Sequence, residues 1–225
     1  MKTIISVIML IMMTTLSYAN DIYVTQSGNA LDLDITQDGE NNTVGNSTTA
    51  SASTGATTIL NIDQIGNSNV ITYQINGATY TGVINLVGSS NNVDLNCDST
   101  GGNSSCGTAN AVINFTGSSN DIDLDIGQTS SANTADVDIV GQSGSDSNVV
   151  AATVDGNSAV LTITVNGDTN NYLIDIDGNG DSVGHTLIHS HTGGIADVDI
   201  IQSGTNDNMI TLTTSGDNAD IDISQ

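Results

Sequence analysis

The residues best suited to hold a cation fall in one stretch. Asp175, Asp177, Asn179, Gly180 and Asp181 follow the spacing D-x-[DN]-x-[DN]-G that opens a calcium loop. Oxygen donors at alternate positions wrap a hard cation, and the glycine permits the sharp turn. The closing Glu, which would give two oxygens at the twelfth position, is absent, and Thr186 stands there. The same residues also read as an acidic strand entering a Gly/Asn turn. Just beyond, His185, His189 and His191 share parity, so on a strand they would share a face. Two imidazoles at i and i+2 suit a transition metal; an exposed polar face is the plainer expectation. Ser, His and Asp all occur, but no G-x-S-x-G elbow, phosphate loop or G-x-G-x-x-G accompanies them. The sequence therefore predicts no enzyme, and no cofactor beyond the Ca²⁺ candidate.

Cys97 and Cys106 flank the short loop CDSTGGNSSC. In an oxidising compartment a bridge is the default. Closing so short a loop contributes ~2–3 kcal/mol in the chain-entropy picture. Two free thiols are the alternative; two cysteines without neighbouring ligands are too few for zinc. An oxidising compartment agrees with the start of the chain. Lys2 precedes an apolar run from Ile4 to Met13, then Ser17-Tyr18-Ala19. That is the form of a secretory signal peptide over residues 1–19, too short for a membrane span of ~20 residues. The mature chain is expected to begin at Asn20 and to be secreted and extracellular.

Lys2 is the only Lys or Arg, against 25 Asp and Glu, giving a formal net charge of −24. Phosphate backbones need basic side chains to displace their counterions, so nucleic-acid binding is excluded. Anionic membrane surfaces would repel the chain too. Aromatics are 3% and Trp is absent, too few for a core of large side chains. Pro is absent as well, which suits an uninterrupted hydrogen-bond ladder.

Short strands position these residues. Leu31, Leu33 and Ile35 alternate with Asp32 and Asp34; Ile122, Leu124 and Ile126 with Asp121, Asp123 and Asp125; Ile221 and Ile223 with Asp220 and Asp222. Period two predicts strands with the apolar set inward and carboxylates in water. Glycines punctuate them every ten to twelve residues, and Asn follows three later at Gly39–Asn42, Gly66–Asn69, Gly88–Asn91, Gly117–Asn120 and Gly167–Asn170. Gly and Asn tolerate the left-handed backbone of corners. Residues 135–164 align with 196–225 once a residue near Gly141 is dropped, which sets Gln142 on Gln202 and Gly144 on Gly204. Self-similarity at a fixed period marks a repeat architecture. The expected fold is all-β: a parallel β-solenoid of strand-turn-strand repeats in two facing sheets, about 22 residues per rung, eight or nine rungs. Loops are expected near 45–57, 97–108 and 128–134, where Ser, Thr, Gly and Ala dominate.

Gln37-Asp38-Gly39-Glu40-Asn41-Asn42 and Gln64-Ile65-Gly66-Asn67-Ser68-Asn69 fit Q-x-G-x-x-N, while Gln26, Gln142 and Gln202 carry its first half. This resembles the curlin repeat of curli, the bacterial extracellular amyloid fibre. The resemblance implies that residues 20–225 form one curlin-like repeat domain. It implies Gln and Asn ladders at Gln37, Asn42, Gln64 and Asn69, with corners at Gly39, Gly66, Gly144 and Gly204. It also implies a biofilm fibre for surface adhesion, with a fibre nucleator and an outer-membrane export pore as partners. Three features depart from the pattern: Asn148 and Asn208 sit one residue late, and position 31 holds Leu.

Neither the first strand, IYVTQSG, nor the last, ADIDISQ, shows a capping residue. Open strand edges of matching geometry invite head-to-tail addition into filaments. Stacked carboxylates ~4.8 Å apart oppose it by roughly 1 kcal/mol per pair, so acid or Ca²⁺ should speed assembly. The alternative is a monomeric, calcium-stabilised adhesin or binding solenoid. Thr162/Thr164 and Thr211/Thr213 hint at ice-binding rows but do not recur on successive rungs.

Overall fold

Alternating side chains face opposite sides of an extended chain, and in the computed structural model every regular element among the described residues is a strand. The structure describes residues 19–39, 41–45, 51–66, 68–97, 106–127, 134–155, 158–177, 185–203 and 208–225. The strands are β1 (Ala19–Ile22), β2 (Thr25–Ser27), β3 (Ala30–Asp38), β4 (Asn41–Val44), β5 (Ser51–Ile65), β6 (Val70–Val87), β7 (Asn92–Cys97), β8 (Thr108–Thr116) and β9 (Asp121–Ile126). They continue with β10 (Thr134–Gly141), β11 (Val149–Asp155), β12 (Ser158–Asn166), β13 (Asn170–Asp177), β14 (Thr186–Thr192), β15 (Ile195–Gln202), β16 (Met209–Ser215) and β17 (Asn218–Ser224).

All pairings are parallel, and they join strands one rung apart. One sheet holds β1, β2, β4, the first parts of β5 and β6, then β7, β9, β11, β13, β15 and β17. The other holds β3, the later parts of β5 and β6, then β8, β10, β12, β14 and β16. The chain thus winds as a two-sheet β-solenoid. Rungs advance by 22 residues where Thr57 meets Thr79, and by 29 where Thr79 meets Thr108. Twenty-two is the shortest turn; the longer one carries the cysteine loop.

The interior is a set of columns. Ile35, Ile62, Ile84, Ile113, Ile139, Ile163, His189 and Leu212 stack in register through the second sheet. Ile35 to His189 are all buried, and each buried Ile contributes roughly 2 kcal/mol of apolar transfer. A narrow seam of this kind needs few aromatics, because each level is closed by the levels above and below.

Three expectations change. The stretch 45–57 is not all loop, since from Ser51 onward it forms β5 against Tyr73–Gly77 of β6. Its small side chains hide the alternation, yet its backbone pairs on both sides. Thr108 and Thr134 likewise begin strands; residues 98–105, 128–133 and 1–18 lie outside the described residues. The first strand starts at Ala19 rather than Ile22. The aligned segments 135–164 and 196–225 also lie half a turn apart. The first runs through β10, β11 and β12, and the second through β15, β16 and β17, which start in opposite sheets. The repeating unit is therefore one strand and one corner, and both sheets are built from it.

Candidate functional site

One corner carries a continuous polar column. Asn42, Asn69, Asn91, Asn120, Asn148 and Asn170 are all buried. From Asn69 to Asn148 the backbone N–H donates to the side-chain oxygen one rung on: Asn69 to Asn91 at 3.3 Å, Asn91 to Asn120 at 3.1 Å, Asn120 to Asn148 at 2.9 Å and Asn148 to Asn170 at 3.0 Å. The amide nitrogens of Asn120 and Asn148 donate along the same column at 3.0 and 2.9 Å. Asn120 and Asn170 also donate to the carbonyls of Gly117 and Gly167 at 2.7 and 2.9 Å. The amides of Asn91, Asn120 and Asn170 thus work in two directions, each closing its own corner and accepting from the neighbouring rung.

The glycine three residues earlier lets these corners stack. A Cβ at Gly88 would run into the carbonyl of Gly66, and one at Gly66 into that of Gly39. Gly144 departs from this expectation: nothing lies within 4 Å of its Cβ position, so it is not a column member. Ser145 takes the place, with its carbonyl under Gly167, and this restores the three-residue spacing to Asn148. The lateness of Asn148 is thereby explained. Asn208 belongs to the opposite corner, where its side-chain oxygen accepts from the His185 N–H at 3.1 Å. There the Nδ1 of His185 accepts in turn from the Ala159 N–H at 3.1 Å. Gly204 lies outside the described residues.

The glutamine ladder exists in two pieces. Gln64 donates to Gln37 at 2.6 Å, and Gln225 to Gln202 at 3.2 Å. Gln142 is exposed and joins neither. Strand parity turns Gly141 inward at the position equivalent to Gln202, and this pushes Gln142 out. Gly141 is needed there because a Cβ would strike the Phe115 ring one rung below.

The three histidines correct another expectation. They face inward, and all are buried. Tyr172 on β13 faces two of them across the seam, its ring centroid 4.4 Å from that of His189 and 5.8 Å from that of His191. Burial lowers the His189 pKa to about 4, with a smaller push from His191. Burial also lowers His191, partly offset by Asp168. Among the described residues no group of three or more His, Cys, Asp or Glu is placed to hold a metal. Of the calcium candidates, Asp175 projects outward from β13 and Asp177 ends that strand. Asn179 and Asp181 lie outside the described residues. Cys97 and Cys106 are joined by a disulfide, Cα–Cα 5.8 Å, and both are buried.

The acidic faces are interleaved rather than continuous. Asn61 donates to Asp34 at 2.8 Å, Asn85 to Asp63 at 2.6 Å and Asn96 to Asp125 at 3.2 Å, each across one rung. In-register Asp pairs among the described residues are Asp94–Asp123, Asp155–Asp177, Asp197–Asp220 and Asp199–Asp222. Two of the four lie on β15 and β17.

At the two ends of the stack, strands pair on one side only among the described residues. These are β1, β2 and β3 at one end, β16 and β17 at the other. Leu31, Leu33, Ile210 and Leu212 are only partly buried there, and Ile221 and Ile223 are 38% and 49% exposed. These two end surfaces are the candidate site. Among the described residues they are sheet edges paired on one side, whose inward rows are mostly apolar and include Gln37 and Gln225. No family model matches the chain, and neither a curated protein nor a solved structure is found similar to it.

Proposed function

We propose that this chain is a secreted structural subunit of a curli-like extracellular amyloid fibre, adding end to end for biofilm matrix and surface adhesion. The observation that carries this reading is the pair of end rungs paired on one side only among the described residues, with a Gln pair at each end, Gln37–Gln64 and Gln202–Gln225, in line with the inward rows. Neighbouring Asn and Gln side chains bond from rung to rung, so a further rung with Gln at this position extends bonds already made. The same logic stabilises cross-β fibres, and an open-ended contact of this kind gives filaments rather than closed rings. The subunit acts by polymerising, and no catalytic step is part of this function.

Electron microscopy of the purified mature chain after incubation tests it. Thioflavin-positive, detergent-resistant filaments with a cross-β diffraction pattern are expected. A chain that stays monomeric on ageing and loses structure in chelator would replace this reading with the calcium-stabilised adhesin.

A further inference from the structure

Residues 22–37 and 210–225 match without a gap. Ile22, Thr25, Ser27, Gly28, Asp32, Asp34, Ile35 and Gln37 recur as Ile210, Thr213, Ser215, Gly216, Asp220, Asp222, Ile223 and Gln225. The first segment is β1, β2 and β3, the lower end of the solenoid; the second is β16 and β17, the upper end. Within the chain, β17 lies in register on β15, which has the same pattern: Ala196 on Ala219, Val198 on Ile221, Ile200 on Ile223. At the lower end, β3 lies in register on β5 with Leu33 on Leu60, Ile35 on Ile62 and Gln37 on Gln64. The upper end therefore presents the type of surface that the lower end already completes.

We propose that a second copy of this chain docks with its residues 22–37 on residues 210–225, like on like and in register, rotated half a turn about the solenoid axis. This rests on the fibre reading and specifies its joint. The half-turn follows from the sheets. β17 belongs to the first sheet and β3 to the second, while β16 belongs to the second and β1–β2 to the first. Continuing the coil from β17 places the incoming β1–β2 on β16, and the incoming β3 on β17. The spacing agrees on both sides of the corner, because Gln26 to Leu31 and Thr214 to Ala219 are the same step around Gly28 and Gly216. The internal match of 135–164 with 196–225 has already shown that either sheet accepts the same unit. A copy added by translation alone would set its β1–β2 on β17 and leave the edge of β16 uncovered.

Docked this way, Leu33 covers Ile221, Ile35 covers Ile223, and Gln37 meets Gln225. The two glutamine pairs then join into one ladder. The joint also stacks Asp32 on the Asp197–Asp220 pair and Asp34 on the Asp199–Asp222 pair. Carboxylate repulsion is thus concentrated where chains meet. Acid or added salt should therefore speed elongation.

Cysteine cross-linking tests the joint on exposed positions, with the Cys97–Cys106 bridge left intact. Chains carrying D34C are co-assembled with chains carrying D222C and oxidised; a parallel mixture pairs T25C with S224C, the position that the first-sheet register sets under Thr25 if the copy is added by translation alone. Adjacent in-register strands lie ~4.8 Å apart, within reach of a disulfide, whereas facing sheets ~10 Å apart are not. Dimers are expected from the D34C mixture and not from the T25C mixture. Helical reconstruction of wild-type filaments gives a second readout, a rotation near a half-turn per subunit. Filaments that cross-link through T25C, or through neither, or that lack the rotation, overturn this joint and leave the fibre reading standing. Wild-type chains that form no filaments overturn both.

Discussion

The phenol oxygen of Tyr172 lies 2.9 Å from Nδ1 of His191, across the seam between β13 and β14. Burial raises the Tyr172 pKa far above the usual phenol range, so the phenol keeps its proton, and the imidazole tautomer sets which of the two donates. His189 sits beside this pair in the isoleucine column, between Ile163 and Leu212. The titratable groups around it are Tyr172 and His191, with Asp168 acting on His191. A charged imidazole there would lose its hydration with no carboxylate in contact to replace it.

Acid should therefore weaken this part of the fold. The folded pKa of His189 is about 4, below the 6.5 of an unfolded histidine. The unfolded state binds the extra proton, so the contribution is complete above pH ~6.5 and disappears as pH falls to about 4. The shift corresponds to about 3 kcal/mol. Thermal melts of wild type and His189→Leu across pH 4–7 check this: the variant's Tm should be flatter over that range. Equal pH slopes would mean that His189 is not the acid-sensitive group.

Removing one link of the asparagine column should cost far more than removing a surface amide. Asn120→Leu deletes the acceptor of the Asn91 N–H and the donor to the Gly117 carbonyl. Each buried group left without a partner costs ~1–3 kcal/mol. Urea denaturation should show a loss of about 2–5 kcal/mol for Asn120→Leu, against less than about 0.5 kcal/mol for exposed Asn29→Ala.

Much of this column was legible in the sequence, because glycine and asparagine three residues apart each have a backbone reason to stand at a corner. The inward turn of the histidines was not. On β14, Leu187 shares parity with the histidines while Ile188 lies on the other face, so alternation alone favours neither side. The decision comes from the neighbouring rungs, where Ile163, Val165 and Leu212 hold the inward positions. Gln142 was misplaced for a related reason: a sequence alignment can drop a residue, but a strand cannot do so without reversing its faces. The strand from Ser51 was hidden because Ser, Ala and Thr give no apolar contrast to read.

The pair Asp94–Asp123 should be a point of local repulsion. The Asp123 pKa is raised, first by partial burial, then by Asp94 and Asp121. A folded pKa above the unfolded 3.8 means that stability rises as pH falls through the raised value. Asp123→Asn should therefore stabilise the neutral-pH chain by a few tenths of a kcal/mol, the scale of an exposed pair. The gain should shrink in high salt and vanish near pH 3, as chemical denaturation at two salt concentrations would show.

The corners separate two kinds of backbone constraint. Ser90, Ser119, Ser147 and Thr169 precede ladder asparagines and hold positive φ, 55–62°. A non-glycine residue there costs ~1–2 kcal/mol, while glycine loses more freedom on folding, by ~0.5–1 kcal/mol. Ser119 is exposed, so Ser119→Gly should stabilise by up to about 1 kcal/mol. Gly88 is the opposite case: its Cβ position is occupied by the Gly66 carbonyl, and its φ is +157°. Gly88→Ala must push two rungs apart and should destabilise by ~3 kcal/mol or more. Denaturation of the two variants side by side checks the pair. A stabilised Gly88→Ala would mean that the corners do not stack as closely as the glycine column requires.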